Sequence, residues 1–106
     1  MDLADVNKTE LLLLVFLRKA DVHPSKEELY HICVDSEVVN GFFFNSSVDN
    51  MLQTDKIYFK SDFIFLTDKG TAIAIEHKDL APVYYLNLLL SKCNQYYELK
   101  RQTFLQ

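Results

Sequence analysis

The run Leu11-Leu-Leu-Leu-Val-Phe-Leu17 leaves a helix no polar side to turn toward water. A helix that is apolar all round must lie inside a core, with its polar residues confined to its ends. Lys8 supplies one such end, and Arg18 and Lys19 the other. Asn7-Lys-Thr-Glu10 fits a capping box with Asn in place of Ser or Thr, so the pattern predicts a first helix from Lys8 to Ala20, broken by Asp21 to Pro24. The apolar run is too short to span a bilayer, and its acidic flank of Asp2, Asp5 and Glu10 is unlike the basic start of a signal peptide. No membrane partner is expected, and a reducing cytoplasm is the expected location.

A chain of 106 residues supports one modest core. Two glycines and two prolines are few for a loop-rich or disordered chain. Cys33 and Cys93 have no C-x-x-C or metal-type spacing and stand among apolar neighbours, which predicts buried free thiols.

Ser25-Lys-Glu-Glu28 is a second capping box. It opens a helix that presents Leu29, Ile32 and Cys33 on one face and ends near Ser36. Asn40-Gly41 reads as a turn ahead of three consecutive phenylalanines. A third helix is expected to start with Asn45, Ser46 or Ser47 as its cap, burying Val48, Met51 and Leu52 and displaying Asn50, Gln53, Thr54 and Asp49.

Lys56 to Leu66 then reads as a hairpin about Ser61-Asp62. A two-residue turn there pairs Phe59 with Ile64, Ile57 with Leu66, Lys60 with Phe63 and Tyr58 with Phe65. The first two pairs are wholly apolar and are expected to anchor the hairpin. Shifting the register by one residue would lose that separation.

Thr67 caps a fourth helix, Asp68 to His77, and Asp79 to Pro82 restarts the chain into a last helix running to about Arg101. The last helix carries Val83, Leu86, Leu90, Cys93 and Tyr97 as a stripe, widened by Tyr85, Leu89 and Tyr96. That stripe is wider than a small core readily covers, so a partner helix, of a second copy or of another protein, is expected on it. The fold class is therefore mainly α with a small β-hairpin: a winged helix-turn-helix over residues 1–80 plus a long C-terminal helix over 81–106.

The residues argue against catalysis. His23, His31 and His77 are far apart and form no ligand spacing, no glycine sits in a phosphate-cradling loop, and no nucleophile motif occurs. Gly70 is better explained by close helix packing. No enzyme activity, metal or cofactor is expected.

The segments KTELLLLVFL, SKEELYHIC, SSVDNMLQTDKI and YFKSDFIFLTDKG, in that order, resemble the winged-helix transcriptional regulators of bacteria in the broad PadR and MarR sense, and more closely a family of small uncharacterised winged-helix proteins. The resemblance covers about residues 7–78. It implies that the third helix enters the major groove of double-stranded DNA, that the wing touches phosphates, and that a homodimer reads two half-sites. Carried onto this chain, Ser46, Ser47, Asn50, Gln53 and Thr54 would face bases or phosphates, and Lys56 and Lys60 would be the wing's phosphate contacts.

Charge cuts across that implication. Residues 1–80 carry 8 basic against 14 acidic side chains, residues 81–106 carry 3 against 1, and the third helix holds Asp49, with Asp55 just beyond it, and no basic residue before Lys56. Carboxylates beside phosphates oppose the attraction that dominates DNA binding. Two functions stay open on the sequence: a dimeric DNA-binding regulator, or a winged-helix module that binds another protein. If Asp49 and Asp55 project outward with no compensating cation, the first reading fails.

Overall fold

The computed structural model describes residues 6–105, so Asp2 and Asp5 lie outside the described residues. Five helices and one hairpin follow in the order α1 (Val6–Ala20), α2 (Lys26–Asp35), α3 (Gly41–Gln53), β1 (Ile57–Lys60), β2 (Phe63–Leu66), α4 (Asp68–Glu76) and α5 (Val83–Leu105), with a 3-10 turn, Lys78–Leu80, between the last two helices. The chain is mainly helical with a single antiparallel hairpin and a long C-terminal helix, as its sequence leads one to expect.

α1 is the axle. Leu12 to Leu17 are all buried, and α3, α4 and α5 pack round them. Burying side chains of this size is worth about 1.5–3 kcal/mol each, so this helix contributes the largest share of the core. The helix starts earlier than its expected cap, because Asn7 already lies inside it. Glu10 does not reach back to close a capping box; its carboxylate turns inward to α3 and to the start of the hairpin.

α2 begins as expected. Ser25 Oγ accepts from the Glu28 backbone N–H (3.1 Å) while Glu28 Oε1 accepts from the Ser25 N–H (2.9 Å), closing the box. Cys33 and Cys93 are free thiols, both buried, on α2 and α5.

α3 begins well before the expected Asn45, Ser46 or Ser47, by about one and a half to two turns. Asn40 is its cap, accepting from the Phe43 N–H at 2.9 Å, so Gly41 belongs to the helix and the three phenylalanines are helical. Asn-Gly signals a turn only when the chain reverses there; here Asn caps and glycine opens the first turn. The earlier start brings Phe44 and Ser47 into the core beside Val48 and Met51, and leaves Leu52 exposed instead of buried. The helix closes with Asp55 in the left-handed region (φ 61°): the Asp55 N–H bonds Leu52 O and the Lys56 N–H bonds Met51 O, a Schellman closure made without glycine.

The hairpin has the expected register at all four pairs. Ser61 and Asp62 both take positive φ (52° and 70°), the geometry of a type I′ turn, which matches the twist of the strands. Ile57 and Ile64 are buried and Leu66 half-buried, but Phe59 is 38% exposed and does not anchor the hairpin. Two residues along a strand carry the chain nearly 7 Å from the helices, and by Phe59 it has left them. One contact was not legible beforehand: Ile64 N–H bonds Pro24 O (2.8 Å) and Ser25 bridges Phe63, so the α1–α2 connection extends the sheet at its β2 edge.

α4 is capped by Thr67, whose Oγ1 accepts from Gly70 N–H at 3.0 Å. A Cβ at Gly70 would stand 2.0 Å from the Lys56 carbonyl oxygen, so glycine is what lets α4 close on the base of the hairpin. α5 is no appendage. Leu86, Leu89 and Cys93 belong to the same core as α1, and the helix leans on α1 and α2, so the boundary expected near residue 80 does not divide the core.

Candidate functional site

The seven side chains expected to meet DNA do not share one fate. Ser47 is fully buried, its hydroxyl without a hydrogen-bond partner, where α1 and α3 pack closely. Asn50 donates to Glu10 Oε2 at 2.6 Å, and Lys56 donates to Glu10 Oε1 at 3.2 Å. Thr54 Oγ1 donates to the Asn50 carbonyl at 2.7 Å. Four of the seven expected contacts are therefore spent inside the protein, and the sequence reading of Ser47, Asn50, Thr54 and Lys56 as groups facing a partner is corrected.

For Asn50 and Lys56 the cause is Glu10, a carboxylate 3% exposed on a central helix. A charge so placed must be paired and hydrogen-bonded, and the amide of Asn50 with the ammonium of Lys56 does both. Sequence reasoning assigned Glu10 to a helix cap and so missed the demand it makes on residues 40 and 46 positions further on. The apolar run immediately after it was the available signal: a carboxylate at the head of a fully buried helix needs partners from whatever packs there.

Ser46, Gln53 and Lys60 keep side chains without an internal polar partner among the described residues. Gln53 and Lys60 are exposed and Ser46 half-buried. Beside them, the outward face of α3 presents Phe42 (74% exposed), Leu52 (44%), Asn45 and Asp49, and Asp55 is exposed just after the helix. No carboxylate of Asp49 or Asp55 enters an ion pair among the described residues. The cation closest to them in role, Lys69, donates to the Thr54 carbonyl at 2.9 Å and caps the negative end of α3.

The hairpin is aromatic. His23 stacks on Phe65 (centroids 3.9 Å apart) and Phe65 on Tyr58 (5.4 Å), while Phe63 stands 43% exposed beside the solvent-facing Lys60 and Asp62. Lys60 is the only cation on either strand, and Asp62 follows it within two residues.

On α5 the expected interface stripe divides. Leu86 and Cys93 are buried in the protein's own core, which corrects their reading as partner contacts. Leu90 and Tyr97 are half-buried against that core, and Val83 is exposed. The outward side of the helix carries Asn87, Ser91, Asn94, Gln95 and Glu98, together with the exposed Tyr84 and Leu99.

Among the described residues no three His, Cys, Asp or Glu side chains converge to hold a metal ion, and no helix is long and apolar enough to cross a membrane. His31 lies between Glu27 (4.0 Å) and Asp35 (3.6 Å) on α2, a surface arrangement. Comparison with protein-family models, with curated proteins and with solved structures finds no match for this chain.

Proposed function

We propose that this chain is a winged-helix protein-interaction module whose exposed α3 face meets another protein and not a DNA duplex. The observation that carries the reading is the composition of that face: two exposed apolar side chains, Phe42 and Leu52, and two unpaired carboxylates, Asp49 and Asp55, with Lys56 already neutralised by Glu10. Exposed aromatic and aliphatic groups among polar ones suit a protein interface. A duplex offers phosphates, which the two carboxylates repel, and the wing's single Lys60 does not offset them.

The alternative, a dimeric reader of DNA, draws support from Gln53 and Ser46, which keep free polar groups on α3. The expected dimer through α5 has less behind it, because Leu86, Leu89 and Cys93 are occupied by the chain's own core, and Tyr84 and Leu99 stand exposed among polar residues on its outward side. In this reading the module acts as a monomer.

Fluorescence anisotropy with mixed-sequence duplex DNA over a salt series, with the mass in solution measured alongside, tests the proposal. No duplex binding at low salt and a mass near 12.4 kDa are expected. Dimer mass together with affinity that falls steeply as salt rises would return the chain to the regulators.

A further inference from the structure

A second surface, sharing no residue with α3, combines charge and apolar area in the opposite sense. A cleft of about 370 Å³ opens between the C-terminal end of α1, the 3-10 turn and the start of α5. Its floor includes Val15 and Leu86, its edge includes Val83, and Arg18, Lys19 and Lys78 stand around it. Val83 is 68% exposed, as is Leu80 (70%) in the same turn as Lys78.

None of the three cations enters an ion pair among the described residues, although Lys56, Lys100 and Arg101 each hold a carboxylate. In a chain of net charge -4, three unpaired cations round one apolar cleft are a concentration against the average. The end of α1 accounts for part of it, since basic residues complement the negative end of a helix. Lys78 comes from a different element, just past the His77 cap that ends α4, so two helix ends bring their cations to one cleft.

We infer that this cleft docks an acidic amphipathic helix of a partner protein, its carboxylates meeting Arg18, Lys19 and Lys78 and its apolar side chains covering Val83 and the floor. Charge complementarity selects the acid, and the apolar floor selects a helix carrying leucine-like side chains on the same face. Asp79 also lines the cleft and opposes any anion alike, so the apolar part of the lining makes the choice: a nucleic acid would use the cations but leave Val83 and the floor uncovered, and an anionic membrane is an outcome of the test.

The test uses the full chain and a fluorescein-labelled synthetic helix bearing Glu and Leu at i, i+3 and i+4 spacing, followed by anisotropy. Saturable binding that weakens about tenfold between low and physiological salt is expected. It should be lost in the Arg18→Glu/Lys78→Glu variant, whose helical circular dichroism should be unchanged, and regained by that variant when Lys replaces Glu in the peptide. Binding indifferent to the charge reversal, no binding even at low salt, or equal dependence on Arg18 and Lys78 for duplex DNA or phosphatidylserine vesicles would each overturn the inference.

Discussion

Two residues show how closely this small core is constrained. Glu10 fixes Asn50 and Lys56 by requiring partners for a buried charge, and Gly70 fixes the approach of α4 by having no side chain. The Lys56 carbonyl occupies the position a Cβ would take, and it is backbone, so it has no rotamer by which to give way. Gly70→Ala is therefore expected to destabilise the protein by about 1–3 kcal/mol, the usual cost of overpacking. Urea unfolding reads this as a lower midpoint at unchanged slope; an unchanged midpoint would show that α4 can slide away from the hairpin base. Asp21, Glu37, Asp55, Ser61 and Asp62 take positive φ without being glycine. The first three follow the ends of α1, α2 and α3, so helix termination here relies on acidic residues where glycine is more common.

Among the elements, α2 and α5 are tied by one ion pair. Lys100 Nζ donates to Glu28 Oε2 at 2.6 Å, while the other Glu28 oxygen completes the α2 capping box. Burial pushes the Glu28 carboxyl up, but the Lys100 ammonium and the Ser25 N–H outweigh it and hold the group below its ordinary value. A carboxyl depressed on folding stabilises the protein above its unfolded pKa and loses that contribution as pH falls through the folded one. Glu28→Gln keeps the box, since Gln serves at that position, and removes only the charge. It should cost about 0.5–1 kcal/mol at neutral pH and less at about pH 3, as pH falls toward the lowered folded value. Denaturant unfolding at the two pH values checks this; an equal loss at both would place the effect in packing. The elements were legible where a local signal acted alone: the Ser25 box, the Thr67 cap and the alternation of the hairpin. They misled where two local signals competed. Asn40-Gly41 satisfies turn and cap chemistry equally, and only burial of Phe44 and Ser47 in the core, with Phe44 against Tyr30 of α2, decides it. The stripe on α5 was read correctly as apolar, but which surface covers it depends on how α1 and α2 meet, and no periodicity within α5 carries that.

Across the whole molecule, function rests on what the core leaves outside. The core takes Ser47, Glu10 takes Asn50 and Lys56, and Thr54 bonds the Asn50 carbonyl, so four of the seven side chains of the DNA-reading surface written in the sequence are engaged within the fold, while Leu86 and Cys93 of the expected interface are buried in the core. What remains on α3 is Phe42, Leu52 and Asp49 with the neutral polar Asn45, Ser46 and Gln53, and no basic side chain. The central claim is that this face touches protein. A diazirine-bearing amino acid at Phe42, irradiated in cells producing the full chain, asks directly what lies against it, with the same group at the exposed Lys26 of α2 as reference. The account predicts a discrete, nuclease-resistant protein adduct from position 42 that position 26 does not give. A nuclease-sensitive adduct, or equal yields from the two positions, would contradict it.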